Sequence, residues 1–164
     1  MNALPDPKQV SHGIEIVETT HIQALIEQSG EQFEMECFTA TERNTPPLGA
    51  KRIEYLAGRF AAKKAILKAL GIENNSNISQ LDIEIQRLPS GEPSVILHGK
   101  CQEIAAKLSI TQWFLSISHT PSYAAASAIG FAGARGNRYG LPRRGDRCWF
   151  KFLPIRTPSQ SLKT

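Results

Sequence analysis

The feature that most constrains the fold of this chain is a long amphipathic segment from Arg52 to Leu70. Its apolar residues recur at steps of three and four, which places them on one face of an α-helix; they are Ile53, Leu56, Phe60, Leu67 and Leu70. Gly71 follows directly, and glycine is the residue that most often ends a helix in the left-handed conformation. We therefore predict a helix over residues 52–70. Lys64 lies within the apolar stripe, so its amine either reaches solvent or pairs with a buried carboxylate.

Five shorter segments have the composition of β-strands. Ile14–Val17 is apolar except for Glu15, which predicts a strand buried on both faces with a carboxylate that needs a partner. Asp82–Gln86 alternates polar and apolar residues, and Ser94–His98 resumes after a turn rich in proline and glycine, so the two predict a hairpin. The remaining predicted strands cover residues 113–118 and 123–129.

Shorter helices are predicted between these strands. One covers His21–Gln28 and ends near the following glycine, and another covers Lys100–Leu108. A capping box at Thr39–Glu42 predicts the start of a further helix, which the proline pair at 46–47 interrupts. Helices grouped with antiparallel hairpin strands indicate an α+β fold, in which an antiparallel sheet packs on the long helix.

Bulk composition limits the class of protein. With 164 residues, 41% of them hydrophobic, the chain can bury the core of one small domain. No apolar run approaches the roughly 18 residues of a membrane span, and the first residues lack the pattern of a secretion signal. The three cysteines (Cys37, Cys101 and Cys148) lack metal-site spacing, which is typical of reduced thiols in a cytoplasmic protein with no membrane partner.

The net charge of +4 is unevenly distributed. Residues 133–164 contain eight Lys or Arg and one acid, whereas residues 1–132 contain eleven and fourteen. A basic segment can attract nucleic acid or acidic proteins. This one has no interleaved aromatic residues and no recognisable nucleic-acid-binding motif, so we predict a solvated extension rather than a nucleic-acid partner.

Four segments in matching order resemble the holo-acyl-carrier-protein synthase family of 4′-phosphopantetheinyl transferases. They are Gly13–Glu18, Glu54–Lys63, Pro89–Pro93 and Ser116–Thr120, with a weaker match at Cys37–Arg43. One such motif occurs by chance, but four in register are specific. The resemblance covers roughly residues 12–131, which we predict to form a transferase domain. We predict a flexible N-terminus over residues 1–11 and, from its composition, a basic, poorly ordered extension over residues 132–164.

The resemblance also implies a fold and a reaction. The 4′-phosphopantetheinyl transferase fold is α+β and assembles as a homotrimer, with coenzyme A bound between neighbouring subunits. Family enzymes transfer 4′-phosphopantetheine from coenzyme A to a serine of acyl carrier protein and release 3′,5′-ADP. Magnesium and basic side chains neutralise the pyrophosphate in this reaction.

Site residues carried over from the family include two departures from its pattern. Glu15 occupies a magnesium-ligand position that is Asp in most members, and Lys64 occupies the second ligand position, which is usually Glu. An ammonium group cannot ligate magnesium and repels it at close range. We therefore hypothesise that Lys64 pairs with Glu15 and partly takes the place of the metal. The predicted catalytic residues are Glu15, Lys64 and His119, and the predicted metal ligand is Glu15.

The same resemblance implies which residues contact coenzyme A and its phosphates; they are Arg59, Lys63, Lys68 and His119. His21 occupies a position where family members often carry a basic residue that meets the acidic carrier protein. Because Lys64 departs from the family pattern, the sequence also allows a second function. In this alternative the protein is a catalytically weak homologue that binds coenzyme A or carrier protein without efficient transfer.

Overall fold

The computed structural model describes residues 10–44 and 49–133. Its longest element is helix α4, Ala50–Ala69, which confirms the helix expected from the apolar stripe. Gly71 ends the helix at a positive φ of 71°, as predicted. Its N–H donates to the Lys68 carbonyl at 3.0 Å, and the Ile72 N–H donates to the Leu67 carbonyl at 3.0 Å. These two bonds form a Schellman motif, which satisfies carbonyls that the helix itself leaves unpaired.

All five predicted strands are present, each within a few residues of its predicted bounds. They are β1 Val10–Glu18, β2 Ile83–Arg87, β3 Pro93–Leu97, β4 Ile110–His119 and β5 Tyr123–Ala132. Strands β1, β5 and β4 form an antiparallel sheet in that order, and β2 pairs with β3 as the expected hairpin. The shorter helices are α1 Thr19–Ser29, α2 Glu31–Cys37, α3 Ala40–Asn44 and α5 Gly99–Lys107. Helix α2 was not predicted. The α+β prediction is confirmed.

Strand β1 is not buried on both faces, which corrects the prediction from its composition. Gly13 and Val17 face α4 and are buried, but Ile14 is 55% exposed and Ile16 is 63% exposed. The helix covers only one face of the three-stranded sheet, and successive side chains of a strand point to opposite faces. The apolar residues of the other face therefore need a covering that this single chain does not supply within its described residues.

Gly13 allows β1 to lie directly against α4. A Cβ atom built on Gly13 would lie 2.0 Å from the Ala65 carbonyl oxygen and 2.9 Å from the Lys68 Cβ. Only glycine fits this contact, because atoms of other residues cannot approach a backbone oxygen so closely. The close contact brings Glu15, two residues further along β1, beside the C-terminal turns of α4.

Three features complete the description of the chain. Strand β1 begins at Val10, within the segment predicted to be flexible, and β5 continues to Ala132. The proline pair at 46–47 and the basic extension after residue 133 lie outside the described residues. Over the described ranges, no helix is both long and apolar enough to cross a membrane.

Candidate active site

One group of predicted site residues meets where β1 contacts the C-terminal end of α4. The Lys68 Nζ lies 2.8 Å from the Glu15 Oε2 and 3.6 Å from the Glu73 Oε1. The hydrogen bond with Glu15 raises the pKa of Lys68 above its ordinary value. An open depression of about 400 Å³ adjoins this cluster; it is lined by Lys68, Gly71, Ile72, Glu73, Asn74 and Asn75. The cluster combines a cation with polar groups next to open space.

The hypothesised pair between Glu15 and Lys64 does not form in this chain. Lys68 binds Glu15 instead, because Lys68 lies one turn further along α4 and packs beside Gly13 of β1. The Lys64 Nζ lies 5.6 Å from the centre of the Phe60 ring. Within residues 10–44 and 49–133, Lys64 has no ion-pair partner. The side chain of Lys64 is half-buried, and its ammonium group is free to bind an anionic ligand.

These residues do not fit a magnesium ion. Of the two positions that the sequence resemblance assigns to a metal, one carries Lys64, and the carboxylate of the other, Glu15, is already bound by Lys68. The described part of the chain contains no cluster of three His, Cys, Asp or Glu side chains that could hold a metal. Magnesium needs several oxygen ligands, and neighbouring ammonium groups repel it.

Lys63 does not contact phosphate, which corrects the prediction made from the resemblance. Its Nζ lies 2.7 Å from the Glu42 Oε2, and both side chains are fully buried. The amine also donates to the carbonyl oxygens of Cys37 at 2.8 Å and Gln80 at 3.1 Å. Burial lowers the pKa of Lys63, and the Glu42 carboxylate opposes that shift. Lys63 is therefore a structural residue, whose amine is directed into the core toward Glu42 of α3.

Glu42 also explains the capping box, which is confirmed. The Thr39 N–H donates to the Glu42 Oε2 at 2.9 Å, and the Glu42 N–H donates to the Thr39 Oγ1 at 3.4 Å. The second carboxylate oxygen of Glu42 accepts from the Ile85 N–H at 2.9 Å. One buried carboxylate thus joins α3, α4 and β2.

A second group of predicted residues lines a cavity of about 170 Å³ between α4, the β2–β3 hairpin and the end of β4. Its lining consists of Tyr55, Gly58, Arg59, Arg87, Gly91, Pro93, Ile117 and His119. The Arg59 guanidinium stacks over the Tyr55 ring at 4.5 Å, and its Nε is buried without a hydrogen-bond partner. The Arg87 Nε donates to the Gly91 carbonyl at 3.0 Å. Two guanidinium groups and an imidazole make this cavity suitable for an anion.

The two groups lie at different levels of α4, with Arg59 near the middle of the helix and Lys68 in its last turn. Nine residues separate Arg59 from Lys68, which corresponds to about 13 Å of helix. The candidate site is therefore divided into a β1 cluster (Glu15 and Lys68, with Lys64 one turn away on the same face of α4) and a β4 cluster (Arg59, Arg87 and His119).

Two further surface features bear on ligand choice. A larger open depression of about 650 Å³ lies beside α2, but its acidic lining residues, Glu31 and Glu36, disfavour an anion, so we assign the site to the cationic clusters.

His21 is exposed on α1, as a contact with a partner requires. That helix contains no lysine or arginine, so His21 is its one residue capable of positive charge.

Sequence reasoning missed one residue of the β4 cluster, Arg87, and one residue that contacts the cluster, Glu54. Arg87 ends a strand next to a turn, and nothing local distinguishes it from a solvated arginine. Glu54 stands at the start of the segment Glu54–Lys63 that carried the resemblance, but it was given no role. Its carboxylate Oε2 lies 3.2 Å from the His119 Nδ1. This contact arises only when β4 packs against α4, two elements far apart in sequence.

Comparison with known proteins assigns this chain to a class of enzymes. The family model described as the 4′-phosphopantetheinyl transferase superfamily matches residues 11–128, and the chain belongs to that superfamily. The holo-[acyl-carrier-protein] synthase of Koribacter versatilis is 38% identical over 117 residues, which cover 71% of this chain and 94% of that protein. The corresponding synthase of Gloeobacter violaceus is 37% identical over 125 residues, covering 73% and 92%. Within the superfamily, the chain is a member of the holo-[acyl-carrier-protein] synthase family.

Solved structures of that family share the fold. The synthase from Bacillus anthracis in complex with CoA (3′,5′-ADP) has a TM-score of 0.62 and 30% identity, covering 75% of this chain and 96% of its own. The Helicobacter pylori synthase in complex with coenzyme A has a TM-score of 0.61 and 27% identity, covering 73% and 98%. A Plasmodium yoelii synthase with ADP bound has a TM-score of 0.66 and 29% identity, covering 75% and 95%.

Proposed function

We propose that this protein transfers 4′-phosphopantetheine from coenzyme A to a serine of apo-acyl carrier protein and releases 3′,5′-ADP. The observation that carries the proposal is the β4 cluster, in which Arg59, Arg87 and His119 line one cavity of a chain in the holo-[acyl-carrier-protein] synthase family. The related synthase structures contain coenzyme A or 3′,5′-ADP, which are the substrate and a product of this reaction.

In the proposed reaction, the serine oxygen forms a bond to the β-phosphorus of coenzyme A. The bond from that phosphorus to the bridging oxygen breaks, and 3′,5′-ADP leaves with this oxygen and the electron pair, while the serine proton passes to water. Negative charge grows on the leaving group, so fixed cations lower the barrier. We assign Lys64 and Lys68 to the pyrophosphate. His119 shares its cavity with two arginines, so we assign it to coenzyme A binding rather than to proton transfer.

Transfer of labelled phosphopantetheine from coenzyme A to a bacterial apo-acyl carrier protein tests the proposal. The reaction is run with magnesium and with EDTA, and the labelled carrier is separated by mass. Labelled holo-carrier in either condition supports the proposed function. A folded protein that binds coenzyme A but yields no labelled carrier in both conditions supports the second function instead, a homologue that binds without efficient transfer; Lys64 is the observation that favours it.

We propose further that this chain supplies the cation at the pyrophosphate from Lys64 and Lys68, with no magnesium ion held by Glu15. The two lysines are four residues apart on α4, so they lie on one face of the helix, and Glu15 orients Lys68 from β1. Activity that persists in EDTA is the expected result in the transfer assay. Activity that requires magnesium would contradict the proposal.

Changing Lys64 to glutamate should create the metal site that the natural chain lacks. In the presence of coenzyme A, we expect K64E to bind Mn²⁺ at least about tenfold more tightly than the parent, because a second carboxylate adds an oxygen ligand and removes a repelling charge. Binding is measured by the electron paramagnetic resonance signal of free Mn²⁺. K64Q is the matched control, since it removes the charge without adding a carboxylate. Equal Mn²⁺ affinity for the parent and K64E would refute the idea.

We propose that the protein assembles as a homotrimer through the uncovered face of the β1–β5–β4 sheet. That face exposes large apolar side chains, namely Val10, Ile14, Ile16, Phe114 and Tyr123. A contiguous exposed apolar surface of this kind marks a protein interface. Assembly also explains the division of the site, because a neighbouring subunit can bring its β4 cluster to the β1 cluster of the first.

Ile16→Lys should abolish this assembly. The substitution places a charge at the most exposed apolar position of β1, and burying that charge in an interface costs several kcal/mol. We expect the parent to have three times the 18.1 kDa mass of one chain in light scattering, and I16K to have the mass of one chain. Gln102→Lys, which adds the same charge at an exposed position of α5 outside that face, is the control and should leave the trimer intact. A trimeric I16K would contradict the proposed interface.

The remaining predictions are retained as proposals. The protein acts in the cytoplasm, which is consistent with Cys37 and Cys101 as free thiols whose pKa burial raises to about 11. The domain covers about residues 12–131, and residues 132–164 form a basic extension whose charge attracts the acidic carrier protein. Nucleic acid is not a partner in this proposal.

A further inference from the structure

Within the described part of the chain, the side chain of His119 makes one polar contact, which is with the carboxylate of Glu54. That carboxylate has no other partner among the described residues. The Glu54 Oε2 lies 3.2 Å from the His119 Nδ1. Glu54 stands in the second turn of α4, and His119 is the last residue of β4. The Glu54 side chain is 22% exposed, and the imidazole is 49% exposed. Glu54 lies behind the ring and does not itself line the cavity.

This contact determines which ring nitrogen a ligand can reach. An ionised carboxylate only accepts hydrogen bonds, so the Nδ1 of His119 carries the hydrogen in the pair with Glu54. The Nε2 is then the nitrogen available in the cavity that Arg59 and Arg87 also line. When a phosphate oxygen binds there, both partners of the imidazole are acceptors. Both ring nitrogens must then carry hydrogen, and the charge of the imidazolium is balanced by Glu54.

We propose that Glu54 is a positioning residue for coenzyme A. It holds the His119 ring so that the Nε2–H donates to an anionic oxygen of the ligand beside the two guanidinium groups. This inference rests on the proposed function, since coenzyme A is the anion that it assigns to the β4 cluster. A purely structural surface pair would contribute little to stability and nothing to ligand affinity.

Coenzyme A binding to the full-length protein, measured by isothermal titration calorimetry, tests the role of Glu54. We expect E54A to weaken binding roughly tenfold through loss of a charge-assisted hydrogen bond, with its melting temperature changed by only a few degrees. E54Q keeps an oxygen that accepts from the Nδ1–H and should restore affinity to within about threefold of the parent. In an H119A background, E54A should cause no further loss, because Glu54 acts through the ring.

The chain offers a matched control. His98 and Glu84 form a similar pair at 3.5 Å on the β2–β3 hairpin, with neither residue lining the cavity. H98A should leave coenzyme A affinity unchanged. Parental affinity in E54A would overturn the inference, as would an equal loss on adding E54A to H119A. If the parent binds coenzyme A but does not transfer its phosphopantetheine, the proposed function fails while the role of Glu54 is still decided by these affinities. If the parent does not bind coenzyme A, both fail.

Discussion

Lys63→Met is expected to lower the free energy of unfolding by about 3–5 kcal/mol, the range found when one partner of a buried ion pair is removed. The substitution keeps the volume of the side chain but leaves the Glu42 carboxylate charged in a fully buried position. It also leaves the Cys37 and Gln80 carbonyl oxygens without their donor. Urea denaturation of parent and variant at one protein concentration measures the difference.

Two further variants distinguish the loss of the buried Lys63–Glu42 ion pair from a general effect of losing a lysine. Lys107→Met removes an exposed lysine of α5 and should change stability by less than about 0.5 kcal/mol. Adding Glu42→Gln to Lys63→Met should cost less than the sum of the two single changes, because no buried charge then remains. Parental stability of Lys63→Met would show that the buried pair is absent and would reopen Lys63 as a ligand of phosphate.

Gly13→Ala is expected to destabilise the protein by about 3 kcal/mol or more, at the upper end for overpacking of a core. The added methyl group would lie 2.0 Å from the Ala65 carbonyl oxygen, which belongs to the helix backbone and cannot rotate away. The strand must therefore move off α4. Because Glu15 holds Lys68 from that strand, we also expect coenzyme A affinity to fall at temperatures where the variant remains folded.

Gly58→Ala is the matched control for this effect. Its added Cβ would lie 3.1 Å from the Ile117 Cγ2, a side-chain methyl group that can move. Alanine is also favoured over glycine inside a helix by about 1 kcal/mol, which offsets the crowding. We expect its stability to lie within about 1 kcal/mol of the parent. If Gly13→Ala were as stable as Gly58→Ala, the close contact between strand and helix would not be required.

The elements predicted correctly from the sequence share a local cause. The helix α4, its Schellman motif at Gly71 and the capping box at Thr39–Glu42 depend on residues within a few positions of one another. The β2–β3 hairpin is likewise specified by alternation and by the turn between its strands. Helix α2 escaped prediction because its seven residues are too few to show a clear period.

Predictions about partners of charged residues were less successful. Lys63, Lys64 and Lys68 stand within six positions on one helix, and the sequence alone allows any of them to pair with a carboxylate. Their sequence spacing does not say that Lys63 points into the core, or that Lys68 rather than Lys64 lies beside β1. The contact of Gly13 with the helix places Lys68, rather than Lys64, beside β1. Lys63 points into the core because the carboxylate of Glu42, on α3, lies there.

The sequence by itself determined the α+β class, the order of the elements and the family, because periodicity, turn residues and motif order are properties of neighbours along the chain. Only the tertiary structure decided which face of β1 is covered, which lysine meets Glu15, and how the site divides along α4. It also brought Glu54 to His119, 65 positions further along the chain. These features depend on contacts between distant segments, and such contacts form only when the sheet packs on the helix.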